Sequence, residues 1–115
     1  MLQDNIQKFF WTNHSKLKMR QYRLSEQRVL RVLRRPDRKE EGIAPNTLAA
    51  MQITGTKKHP TEIWLMYVVI NPKSEIRNPK IKIISTWRYP ARSPIGQPVP
   101  VPQDILELLD EILKE

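Results

Sequence analysis

The sequence predicts an α+β fold, with N-terminal helices packed on one face of an antiparallel sheet of three to four strands, and a C-terminal helix. Three observations carry this expectation. Apolar residues recur at three- and four-residue spacing toward both ends of the 115-residue chain, and they alternate with period two through its middle. A proline cluster separates that middle from the last helical stretch. The chain reads as a single domain over residues 1–115. It has a basic helical part (1–38), a sheet (39–90), a proline-rich crossing segment (91–102) and an acidic amphipathic helix (103–115).

Taken in order, Leu2, Ile6, Phe9 and Phe10 stand at helical spacing, yet Phe9-Phe10-Trp11 fits a short strand equally. Thr12 and Asn13 are N-cap residue types for a helix over 14–22, because a short polar side chain can accept from the first unpaired N–H groups. Leu24-Ser25 interrupts that helix, and Ser25 suits the cap of a second one. The second helix places Val29, Leu30, Val32 and Leu33 on one side, with Arg28, Arg31, Arg34 and Arg35 around the other. Pro36 ends it, since proline pushes the residue before it out of the α region.

Residues 40–44 read as a short strand, Pro45-Asn46 as a turn and 47–54 as a further strand. Residues 62–70 are apolar on both alternating faces, with Ile63, Leu65, Tyr67 and Val69 on one and Trp64, Met66, Val68 and Ile70 on the other. Such a strand belongs at the centre of a sheet. Asn71-Pro72 and Asn78-Pro79 bracket a connecting loop, and 80–88 is the closing strand. Five of the ten prolines fall in residues 89–102, an extended stretch that cannot join a ladder continuously. Beyond it, Ile105, Leu108, Leu109 and Ile112 form a helical apolar stripe over 103–114, which is expected to dock within the same chain beside a basic helix. The alternative is a dimer contact, so monomer and homodimer both stand.

Charge narrows the function classes. The net charge is +8, distributed as +8 over residues 1–39, +4 over 40–100 and −4 over 101–115. Concentrated positive charge attracts polyphosphate through counterion release, whatever the base sequence. The competing reading is a solvated lysine- and arginine-rich surface with no anionic partner. Cysteine is absent, which excludes disulfides, thiol nucleophiles and thiolate metal sites and leans toward a cytoplasmic location. No apolar run reaches the length of a membrane span and the first residues do not read as a secretory signal, so no membrane is expected. Neither a metal nor a cofactor is expected: there are two histidines without ligand spacing, and three glycines with no phosphate loop.

Two groups of residues offer chemistry. On the closing strand, Lys80, Lys82, Ile84, Thr86 and Arg88 share one face. Arginine can grip two phosphate oxygens, lysine adds a point charge and threonine a hydroxyl donor, which together suit a phosphodiester. The same face also fits an edge strand whose lysines discourage aggregation. His14 opens the first helix with Lys16, Lys18 and Arg20 nearby. It suits either proton transfer near neutral pH or a capping role. His59 lies in a lysine-bearing loop. Trp11, Trp64 and Trp87 can stack on bases, although Trp64 and Trp87 fall within strand patterns and fit the core.

The run His14-Ser15-Lys16-Leu17-Lys18-Met19-Arg20-Gln21-Tyr22-Arg23-Leu24-Ser25 resembles the opening of a small bacterial and phage domain. That domain is grouped with the Barnase–EndoU–colicin–RelE nuclease superfamily. Ile84-Ser85-Thr86-Trp87-Arg88-Tyr89 is similar to its closing strand. The resemblance covers residues 12–90. It implies a RelE-like domain with RNA on the sheet face opposite the helices, acting as a metal-independent ribonuclease or as the toxin of a toxin–antitoxin pair. It carries over His14, Arg20, Thr86 and Arg88 as candidate catalytic positions; the basic residues Lys16, Lys18, Arg23, Lys80 and Lys82 are expected to bind nucleic acid beside them. Arg20 and Arg23 both fit the motif arginine. In that scheme the 2′-hydroxyl attacks, His14 transfers the proton, Arg88, Lys82 and Arg20 stabilise the phosphorane and Thr86 orients the phosphate. The expected partners are RNA, free or ribosome-bound, and an antitoxin or other acidic protein. The alternatives are a non-catalytic nucleic-acid-binding module and a domain that binds an acidic protein.

Overall fold

Residues 60–70 have no polar face, and the fold places them where two hydrophobic layers meet. The computed structural model describes residues 8–70 and 80–115. Its elements are β1 (Lys8–Trp11), α1 (Asn13–Tyr22), α2 (Glu26–Arg34), β2 (Arg38–Glu41), β3 (Leu48–Gly55), β4 (Pro60–Ile70), β5 (Lys80–Tyr89) and α3 (Gln103–Leu113). The sheet order is β1-β5-β4-β3-β2, so β4 is the central strand. The N-caps fall on Thr12 and Ser25, whose side chains accept from Ser15 N and Arg28 N.

Two expectations about the fold are overturned. The sheet has five strands and is mixed, because Phe9-Phe10-Trp11 takes its strand alternative and β1 runs parallel to β5, from Lys8↔Lys80 to Trp11↔Ile83. Leu2, Ile6 and the bracketing Asn71-Pro72 and Asn78-Pro79 pairs lie outside the described residues. Secondly, both faces of the sheet carry a cover. Met19 and Leu24 of the α1 region and Val29 and Val32 of α2 pack on Ala50, Ile63, Leu65, Tyr67, Ile81 and Ile83. The opposite face, with Ala49, Met51, Trp64, Met66, Ile84 and Trp87, is covered by Val99 of the proline-rich segment and by Ile105, Leu109 and Ile112 of α3. A central strand apolar on both sides requires a cover on both sides, and the chain beyond residue 90 supplies the second one.

A buried carboxylate holds that cover in place. Glu62 is fully buried and accepts from Trp64 Nε1 at 2.9 Å, Ser93 N at 3.0 Å and Ser93 Oγ at 2.7 Å. Arg92 Nε lies 3.6 Å from its Oε2, and Arg38 donates to both oxygens of Ser93. Polar oxygens taken out of water need such a full set of partners. Here they fix the point where the proline-rich segment leaves the sheet edge and crosses to α3. In α3, Leu108 departs from the expected stripe: it is 44% exposed, whereas Ile105, Leu109 and Ile112 are buried.

Candidate nucleic-acid interface

β5 pairs regularly with β4 except at one step. Tyr67 faces Ile83 and Met66 faces Ser85, which leaves Ile84 as an extra residue in a β-bulge. The bulge shifts the alternation by one position and so splits the expected basic face. Lys82, opposite Val68, points to the α3 side, where its Nζ donates to the Leu113 carbonyl at 3.0 Å and to the Glu115 carbonyl. Thr86 and Arg88, opposite Leu65 and Ile63, lie on the α1–α2 side. Thr86 is fully buried and its hydroxyl donates to the Trp64 carbonyl at 2.6 Å, so it offers nothing to a ligand. Arg88 is exposed and its Nε donates to the Tyr22 carbonyl at 2.9 Å. The shared phosphate face of Lys82, Thr86 and Arg88 is therefore absent, and Lys80 stands exposed at the far end of β5.

The bulge creates a different meeting point. Its carbonyls at Ile83 and Ile84 both accept from the Thr12 hydroxyl, which pins the start of α1 against β5. His14 follows, and its Nε2 lies 2.9 Å from Ser85 Oγ. Burial, and then the Lys18 charge, lower the His14 pKa, while Glu115 and Asp104 oppose the shift. The imidazole is therefore neutral at pH 7. Lys18, one turn along, is buried and donates to Gln21 and to Asp104 of α3. The Asp104 pKa is lowered chiefly by that hydrogen bond. Glu115 closes the corner by accepting from Asn13 N at 2.6 Å and His14 N at 3.4 Å, at the positive end of α1. A neutral imidazole against a hydroxyl is chemically a base beside a nucleophile, but Ser85 is fully buried and His14 8% exposed. In this conformation the pair fastens α1 to β5.

The remaining basic residues face outward. Residues 13–35 carry eight lysines and arginines against one acid, Glu26. Lys16, Arg20, Arg23, Arg31, Arg34 and Arg35 are exposed, and no ion pair neutralises any of them among the described residues. The structure thus brings His14, Lys18 and Lys82 together under α3. It leaves Lys16, Arg20 and Arg23 on the helical surface and sets Arg88 at the end of α1. Sequence reasoning missed Ser85, Glu115 and the pairing of Arg28 with Gln52. The first depends on a bulge that the residue pattern does not mark, and the others on tertiary placement.

Trp64 and Trp87 stack in the core with ring centroids 6.2 Å apart, so neither offers a free face to a base. A shallow hollow of about 690 Å³ lies along residues 41–48 and Val69, and another of about 370 Å³ lies beside residues 53–57, Pro60 and Arg92. Neither is lined by a residue the sequence singled out for chemistry. Among the described residues no three His, Asp or Glu side chains gather where a metal could be held. No described helix is long and apolar enough to cross a membrane. Comparison with family models, with curated proteins and with solved structures gives no match.

Proposed function

We propose that this chain is an RNA-directed protein that holds the phosphate backbone on the outer surface of α1 and α2. The observation that carries this reading is the row of exposed, unneutralised basic residues on that surface, set against one acid. Long-range attraction and counterion release follow from such a surface, and affinity then falls steeply with salt. The resemblance of residues 12–90 to RelE-like nucleases supports RNA as the polymer.

The test is fluorescence anisotropy with a single-stranded RNA and with DNA of the same sequence, over a range of salt. About four phosphate contacts give a slope of roughly −3 in log affinity against log salt for a single strand. Absence of binding at low salt overturns the reading. A second reading, metal-independent RNA cleavage, is favoured by the 2.9 Å contact between His14 and Ser85, and it requires α3 to leave the corner. His14→Ala then abolishes cleavage and leaves affinity unchanged; intact RNA in the presence of the unaltered protein removes this second reading alone.

A further inference from the structure

One cluster of positive charge is built into the fold. Gln52, Ile63 and Arg88 stand in register across β3, β4 and β5, on the face covered by α1 and α2. Gln52 ties the row to α2. Its Nε2 donates to the carbonyls of Arg31 at 3.3 Å and Arg35 at 2.8 Å, and its Oε1 accepts from Arg28 Nη1 at 2.6 Å. Arg88 is oriented from the other side by the Tyr22 carbonyl at the end of α1. Arg31 lies one helical turn beyond Arg28.

Three guanidinium groups thus belong to one neighbourhood: Arg28 held at Gln52, Arg88 held at Tyr22, and Arg31 a turn along α2 from Arg28. None forms an ion pair among the described residues, although Asp and Glu side chains are available elsewhere in the chain. The neighbours are close enough to feel one another: the Arg28 pKa is lowered first by burial and then by the charges of Arg31 and Arg88. Like charges gathered without a counter-charge oppose folding and are relieved when an anion binds. The donors that remain on Arg28 and Arg88, beyond those used on Gln52 and Tyr22, form a pre-oriented set for oxygen acceptors. Loop residues Lys57 and Lys58 extend the positive charge past the same end of the sheet, since the hairpin begins three residues beyond Gln52.

We infer that Arg28, Arg31 and Arg88, held by Gln52 and Tyr22, form a phosphate subsite that takes one phosphodiester group of an RNA strand. The subsite rests on the RNA-directed reading and names the place on that surface where the backbone is gripped.

The experiment measures anisotropy of a labelled single-stranded RNA against salt for four proteins: the unaltered chain, Arg31→Gln, Arg28→Gln with Arg88→Gln, and Lys114→Gln, just past α3, as the control. Thermal melts accompany each. The double variant is expected to lose roughly tenfold in affinity and to flatten the salt slope by about 0.7, the share of the one phosphate contact that the subsite makes with a single strand. Its melting temperature is read beside the binding, since the variant removes a repulsion together with the hydrogen bonds to Gln52 and Tyr22. Arg31→Gln, whose side chain holds no partner, tests the site without touching the Gln52 and Tyr22 anchors; it is expected to lose about half as much in slope. Lys114→Gln is expected to match the unaltered chain.

If the unaltered chain binds and both arginine variants bind with its affinity and slope, the subsite is overturned while the RNA reading stands. If the unaltered chain does not bind at low salt, both fall together. Inorganic phosphate is the competing source of the same chemistry. If it displaces RNA from the unaltered chain at micromolar concentration and fails to do so in the double variant, the site belongs to a free phosphate. If oligoglutamate of equal charge binds as tightly as RNA and loses as much in the double variant, the cluster belongs to an acidic protein.

Discussion

At the scale of single residues, His14 combines two roles that its pKa separates. It is neutral, buried and joined to Ser85, while Lys18, Asp104 and Glu115 face it from α1 and from the α3 end of the chain. A histidine with a folded pKa below its ordinary 6.5 binds fewer protons in the folded chain than in the unfolded one. Stability therefore falls as pH drops through 6.5, and the loss is complete below the folded pKa. Asp104 acts lower down, because its depressed carboxyl keeps its contribution until pH falls below the ordinary 3.8. The two windows open at different pH, the first at 6.5 and the second at 3.8. Melting temperature is expected to fall between pH 7 and pH 5, and His14→Gln, which can still reach Ser85, is expected to flatten that part of the profile. Identical profiles for the two proteins would show that His14 does not set this dependence. Thr12 and Ser25 were recognisable as caps because capping needs only a side-chain type beside a helix start. Ser85 was not recognisable, because its partner lies 71 residues away and reaches it only through the bulge.

At the scale of elements, the pattern that revealed β4 also contained the correction to the fold. A strand apolar on both faces asks for two covers, and α3 with its stripe was present to supply the second. The open sheet face followed from the resemblance, not from the periodicity. The split of Lys82 from Thr86 and Arg88 lay beyond periodicity altogether. Period two holds only while a ladder is unbroken, and the register step opposite Met66 and Tyr67 breaks it. The parallel β1 was half legible, since Phe9-Phe10-Trp11 suited a strand but nothing in it selected β5 as the neighbour. Within α3 the structure separates two leucines that the sequence treats alike. Leu109 is 7% exposed and Leu108 44%. Leu109→Ala is expected to cost about 2–5 kcal/mol in chemical denaturation. Leu108→Ala is expected to stay within about 0.5 kcal/mol. Equal losses would mean that Leu108 is covered in solution, as in a dimer contact.

At the scale of the whole molecule, charge is sorted by layer. The α1–α2 side carries the exposed arginines, and the α3 side carries Asp104, Glu107, Asp110 and Glu111. An approaching polyanion is drawn to one side and repelled from the other, so orientation is selected before contact. The layer order has a further consequence for how the molecule comes into being. A chain is made from its N-terminus, and domains form as their parts emerge. Here α1 is tied to residues made 86 to 102 positions later, through Asn13 and His14 on Glu115 and Lys18 on Asp104. Until residues 105–112 exist, Met51, Trp64, Met66, Ile84 and Trp87 have water in place of a cover. A nascent chain that has completed its whole sheet is thus still adhesive, and it passes through that state on every round of translation. Synthesis stopped after Pro102 is expected to yield a species that binds hydrophobic dye and aggregates, and a synthetic peptide of residues 103–115 added during refolding is expected to restore solubility. A truncated chain that stays monomeric and dye-silent would show that the sheet tolerates exposure. Between the completion of β5 and the arrival of α3, the second apolar face of the sheet is therefore the surface at risk of sticking to other chains.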